Sequence, residues 1–194
     1  VFTKGVNVDE FVVDNKMPSA TGKGYISYIS NCDPALDVNN KIARANTAGE
    51  PYITGGWPGD WWLFTIPEMT IKAGTVINAK FHARASGTGM KYWMLEYYDG
   101  GEWKPGAPLQ TTTVGEGDQA QTFSYNYEMM NTDHCLIDRN MTFEHAINNG
   151  DILIRLRCMA NWQASGKGAL AAPNGGTHRI SVQNNINPTI SIVQ

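Results

Sequence analysis

Polar and apolar residues alternate along most of this chain, and the alternation has the period of a β-strand. In VINAKFHARAS (76–86), Ile77, Ala79, Phe81, Ala83 and Ala85 share one face, while Asn78, Lys80, His82 and Arg84 share the other. DILIRLRCMA (151–160) repeats the pattern, with Ile152, Ile154, Leu156 and Cys158 opposite Arg155 and Arg157. MKYWMLEYYDGGEWKP (90–105) reads as a strand, an Asp-Gly-Gly turn and a short return strand, the signature of a hairpin. Shorter strands are predicted in EFVVD, GYISYIS, DWWLFTI, QTFSYNYEM, NMTFEH, THRISV and PTISIV. The stretches MPSATGKG, TTTVGEGDQ and SGKGALAAPNGG, rich in Gly, Thr, Ser and Pro, read as loops. Only DPALDVNNKIARA (33–45) offers a helical turn or two, with Asp33 as cap and Pro34 at the first helical position.

Many short strands with one buried face each need a second sheet to cover them. The expected fold is therefore all-β: an antiparallel two-sheet β-sandwich, with 76–86, 90–98 and 151–160 as long central strands. A chain of 194 residues can bury a sizeable core without staples. Neither a repeat nor a linker divides it, so one domain over residues 1–194 is expected.

Composition removes several function classes. Fifteen Lys and Arg against 18 Asp and Glu give a net charge of −3, with no basic stripe for a nucleic-acid partner. No apolar run approaches the ~20 residues of a membrane-spanning helix. Three cysteines, Cys32, Cys135 and Cys158, lack metal-ligand spacing, as do the four histidines. Cys158, in an alternating strand, is expected to be a buried thiol. The GxSxG elbow, the HExxH helix and the phosphate loop are missing. Asp60, Glu96, Asp99, Glu102, Glu128 and Glu144 supply carboxylates, but spacing singles out no catalytic pair. No catalytic residue and no metal ligand is assigned, and a non-enzyme is the favoured expectation. The chain begins at Val1, and an export signal is read as already removed.

The succession DWWLFTIPEMTIKAGTVINAKFHARAS, KYWMLEYYDGGEWKP and ILIRLRCMANWQASGKGALAAPNGGTHRISV resembles the galactose-binding-like jelly-roll domains of secreted and surface proteins of gut Bacteroidetes. The motifs are Ile152–Arg155 and Arg179–Val182, and the resemblance spans roughly residues 50–183. It implies an extracellular or cell-surface jelly roll that binds carbohydrate without catalysing, beside other domains or proteins of a surface assembly. Relatives hold a structural calcium through an acid in the last strand. Here His178 and Arg179 stand at that place, so no cofactor is expected.

Sugars present an apolar C–H face to aromatic rings and hydroxyls to polar groups at the rim. Both ingredients are present. Trp57, in the turn of GGWPGDWWLF, is either a ligand platform or a cap on the core edge. Of the adjacent pair Trp61 and Trp62, one is expected in the core and the other outside, and Trp62 is assigned to the core with Phe64. Trp162, flanked by Asn161 and Gln163, is a second loop platform or a plug. Trp103 is assigned to packing. His82 with Arg84, Tyr92 with Glu96, and Arg155 with Arg157 each share a strand face. If those strands are neighbours, they line a polar groove whose two arginines suit an anionic group such as a uronate or sulfate. The alternatives are a ladder of weak ion pairs, a polysaccharide hydrolase or lyase with paired acids in that groove, and a structural or adhesin-like module.

Overall fold

The structure is a computed structural model that describes residues 16–29, 51–54, 56–169, 176–181, 183, 184 and 186–193. The expected strand EFVVD, the helical turn at 33–45 and Cys32 lie outside the described residues. Every strand pairing is antiparallel. The seven-stranded sheet contains β1 (Lys16–Pro18), β2 (Tyr25–Ile29), β4 (Trp61–Ile71), β6 (Tyr92–Asp99), β7 (Glu102–Pro105), β10 (Tyr127–Glu128) and β12 (Ile147–Cys158). Its order is β1-β2-β4-β12-β6-β10, with β7 also pairing β6. The five-stranded sheet contains β3 (Tyr52–Thr54), β5 (Thr75–Ala85), β11 (Cys135–Phe143), β13 (Thr177–Ser181) and β14 (Thr189–Ile192). A separate hairpin joins β8 (Gln110–Val114) to β9 (Gln121–Tyr125).

The two larger sheets form a sandwich because their alternating faces meet. Trp62 and Phe64 of β4, Ile152, Ile154 and Leu156 of β12, and Trp93 and Leu95 of β6 are buried on one side. Ile77, Ala79, Phe81, Ala83 and Ala85 of β5 and Ile137 and Met141 of β11 fill the other. Phe64 and Phe81 meet across the sandwich at 4.7 Å between ring centroids. Cys158 is buried, and burial pushes the Cys135 thiol up to about 11.

Several boundaries differ from the sequence reading, each for a local reason. TTTVGEGDQ is half strand: Thr111 meets Ser124 and Thr113 meets Thr122 through their hydroxyls, so β8 and β9 form a polar ladder. β4 runs on past Ile66 because Pro67 and Glu68 are accommodated as an irregularity opposite β12, with Glu68 at φ 57°. QTFSYNYEM is split into β9 and β10 at Asn126. The Asn126 side chain accepts from Leu95 N–H at 2.7 Å and donates to Leu95 C=O at 3.1 Å. It thus supplies the acceptor for Leu95 N–H between β10 and β7, where Leu95 C=O also accepts from Gly106 N–H at 2.8 Å.

Asn126→Ala should therefore cost about 1–3 kcal/mol, the penalty for leaving a buried backbone donor unpaired. Urea denaturation followed by tryptophan fluorescence checks this. A cost under a few tenths would mean that water replaces the amide.

Candidate functional site

GGWPGDWWLF anchors the core and shapes the rim. Trp57–Asp60 is a tight turn: Asp60 N–H donates to Trp57 C=O at 3.0 Å, Pro58 sits second, and Gly59 takes φ 93°. This is the Pro-Gly pattern of a type II turn. Asp60 is buried, and its Oδ2 accepts from Trp57 N–H at 2.9 Å and from Tyr28 Oη at 3.1 Å. Behind it lies His178, whose Nδ1 accepts from Trp62 Nε1–H at 3.0 Å and whose Nε2 stands 3.3 Å from Tyr28 Oη. An indole N–H can only donate, so Nδ1 carries the lone pair and Nε2 the proton. The chain of donors then runs from His178 through Tyr28 to Asp60. Gly56 is required beside it, since a Cβ there would lie 2.7 Å from His178 Nε2. The turn is tied to the exit of β12, because Gly59 N–H donates to Cys158 C=O and Cys158 N–H to Asp60 C=O. Trp57 itself is half-buried.

The strand that buries Trp62 sends Trp61 to the outer face of the seven-stranded sheet. There the register aligns Ser27, Leu63, Arg155, Glu96 and Pro105 across five strands. Glu96 Oε2 accepts from Arg155 Nε at 2.7 Å and from Arg157 Nε at 2.9 Å, and Oε1 accepts from Arg157 Nη2 at 3.1 Å. Burial opposes ionisation of Glu96, but the hydrogen bonds from Arg157 and Arg155 outweigh it and hold the carboxyl below its ordinary range. The Arg155 guanidinium lies 4.0 Å from the ring centroid of Trp103 on β7 and 5.3 Å from that of Trp61 on β4. It is therefore flanked by indoles on both sides of its own strand. Tyr98 extends the row, 5.3 Å from Trp103 and more exposed than its neighbours. Trp61 Nε1–H is buried with no acceptor among the described residues, so stacking, not a hydrogen bond, holds that ring.

Of the residues singled out in the sequence, Glu96, Arg155 and Arg157 are brought together. Tyr92 shares their face, but it is not presented. The β8–β9 hairpin covers it, with Phe123 at 5.1 Å and Tyr125 at 4.8 Å between centroids. Trp162 is half-buried against the same cluster, below the hairpin, and Asn161 precedes it in that loop. His82 and Arg84 are on β5, so they face outward from the opposite sheet and cannot join the groove. His82 is buried there, and burial, with His134 and Lys80 nearby, pushes its pKa down. Arg84 donates to Asn131 C=O at 2.6 Å. Two residues of the stacked row, Trp61 and Trp103, were not assigned to a site from sequence. The adjacency of Trp61 and Trp62 was the available signal, since only one could face the core. No His, Cys, Asp and Glu group able to hold a metal occurs among the described residues.

No family model and no curated protein sequence matches the chain. Similar solved structures include one described as "CBM4 structure and function", at 11% identity and TM-score 0.47, covering 96% of this chain and 99% of that one. A cyclase from Fischerella sp. TAU, in complex with 4-(1H-indol-3-yl)butan-2-one, is 14% identical at TM-score 0.38, covering 97% of this chain and 85% of its own. The K3 cleaved adhesin domain of Lys-gingipain from Porphyromonas gingivalis is 10% identical at TM-score 0.33, with 91% and 94% covered. At these identities and scores the likeness carries no inference about ligand or reaction.

The bonded state of Glu96 has a pH signature. Its folded-state pKa is depressed, so its contribution to stability is complete above the ordinary value of 4.5 and is lost as pH falls through the lower folded value. Glu96→Gln should flatten the loss of melting temperature on acidification in that range. An unchanged acid limb would mean that the two arginines contribute nothing to the ionisation of Glu96.

Proposed function

We propose that this chain is a non-catalytic carbohydrate-binding domain whose ligand lies on the outer face of the seven-stranded sheet. The observation that carries the proposal is Arg155 held between Trp61 and Trp103 beside Glu96 and Arg157. Flat indole surface and fixed polar donors within one row are what a sugar ring requires. The ion pairs hold those donors in place before any ligand arrives, which lowers the ordering cost of binding. Trp57, half-buried on its tied turn beside the start of β4, is a further aromatic residue assigned to ligand contact in this reading. The proposal includes one domain over the whole chain, acting at or outside the cell surface, where polysaccharide is met, with further domains or proteins of a surface assembly as neighbours.

Hydrolysis is less well supported. A glycosidase needs one carboxyl able to give a proton. Burial alone would raise the carboxyls of Glu96 and Asp99, but their hydrogen-bond donors hold both below the ordinary range. Asp99 is spent on Lys104 and on the backbone N–H groups of Glu144 and His145. Its task is to fasten the turn between β11 and β12.

Trp103→Ala and Trp57→Ala should each weaken glycan binding by roughly 1–3 kcal/mol, with base stacking as the nearest measured analogue. Arg84→Ala, on the opposite sheet, should leave binding unchanged. Affinity electrophoresis against a polysaccharide panel checks both, with melting temperatures as controls. Loss of binding in Arg84→Ala with retention in Trp103→Ala would place the ligand on the other face.

A further inference from the structure

Arg155 and Arg157 share one carboxylate. The cluster thus carries two positive charges and one negative, and Glu96 is held ionised. Only 12% of the Arg155 side chain is exposed, which makes the unbalanced charge costly to leave without a partner. Nε is spent on Glu96 and the indoles stand on either side. The two terminal amino groups have no acceptor among the described residues, yet they are not closed off from solvent. They form the free end of a planar fork. Other charges on this face do not balance it: Glu128 of β10, opposite Tyr92, is already engaged by Lys91 at 3.0 Å and by Tyr125 Oη at 2.9 Å. Lys16, over the Tyr25 ring, adds a positive charge, and Asp151 lies four residues along β12 from Arg155, roughly 13 Å away.

We infer that the glycan bound here contains a uronic acid whose carboxylate docks edge-on against the terminal amino groups of Arg155, with Arg157 beside it. The inference rests on the carbohydrate-binding reading and names the sugar class that the charge of the site selects. Two coplanar oxygens match the spacing of a guanidinium fork, and both hydrogen bonds are charge-assisted. A neutral sugar would cover the same fork with hydroxyls and leave its charge unanswered. A sulfate ester can also set two oxygens against the fork, but it hangs on a rotatable ester oxygen, whereas a uronate carboxylate is bonded directly to the sugar ring that the indoles flank. The indoles on either side of the guanidinium, at 5.3 and 4.0 Å from centroid to Cζ, offer apolar surface to the ring that bears the carboxylate.

The test is calorimetric titration of the protein with a panel of uronate-containing polysaccharides, each paired with its own carboxyl-reduced form. Neutral β-glucan and xylan and a sulfated neutral galactan complete the panel. The expected result is that at least one uronate polymer binds and that carboxyl reduction weakens it on the order of 10- to 100-fold, as losing a charge-assisted hydrogen-bond pair should. Affinity should also fall as salt is raised. Arg155→Lys, which keeps the charge and loses the fork, should weaken the uronate by about tenfold or more and the reduced polymer by clearly less. The reduction arm needs no variant, so misfolding of Arg155→Lys leaves the test intact. Equal binding of native and reduced polymers, or binding of neutral glycans alone, would overturn the uronate inference and keep the carbohydrate reading. Preference for the sulfated galactan would overturn the planar-carboxylate geometry. Absence of binding to every glycan would overturn both.

Discussion

A strand cannot turn successive side chains to the same side, and on β12 that constraint divides the molecule. Ile154 and Leu156 enter the core, so Arg155 and Arg157 must stand on the outer face. The neighbouring strands obey the same rule. β4 gives Trp62 to the core and Trp61 to the face, while β6 gives Leu95 to the core and Glu96 to the face. The register that packs the core therefore also sets the acid between two arginines and brings an indole to each side of Arg155. A one-residue slip of β12 would bury both guanidinia and empty the face. Fold and site are two sides of one pairing pattern.

The rim is tied to the core by polar groups rather than by packing alone. Trp62 reaches His178, His178 meets Tyr28, and Tyr28 donates to Asp60, which holds the backbone of Trp57. Buried polar chains of this kind add less to stability than to uniqueness, because each member accepts only one arrangement of donors. Here that arrangement fixes the angle at which the turn leaves the sheet. The small hairpin plays a complementary part. It covers Tyr92 and bounds the stacked row of Trp61, Arg155, Trp103 and Tyr98 at one end of β6.

Much of this was legible in the chain. Period-two alternation in 76–86 and 151–160, with the hairpin signature in 90–105, gave three central strands, and the alternation divided the side chains of the first and third into inner and outer sets. The assignment of Trp62 and Phe64 to the core followed from the same rule. What the pattern could not supply was which strands are neighbours. His82 and Arg84 resemble Arg155 and Arg157 in local pattern, yet β5 belongs to the other sheet, and nothing in a single strand records its partner. Trp103 was assigned to packing because its value depends on lying across β6 from Arg155, a relation between strands far apart in sequence. Asn126 was invisible for a different reason. An asparagine that completes a sheet edge looks like any loop asparagine until the gap it fills is seen.

The central claim is that the outer face of the seven-stranded sheet receives the ligand. The six indole N–H groups include Trp61 and Trp103 on the outer face of the seven-stranded sheet and Trp62 and Trp93 in the core, so their nitrogen-proton resonances report on that face and the core together, while backbone amides report on the opposite sheet. On titration with a bound glycan, the indole signals of Trp61 and Trp103 should shift, while those of Trp62 and Trp93, buried in the core, stay in place. Movement confined to the backbone amides of His82, Arg84 and their neighbours, with Trp61 and Trp103 unmoved, would contradict the account.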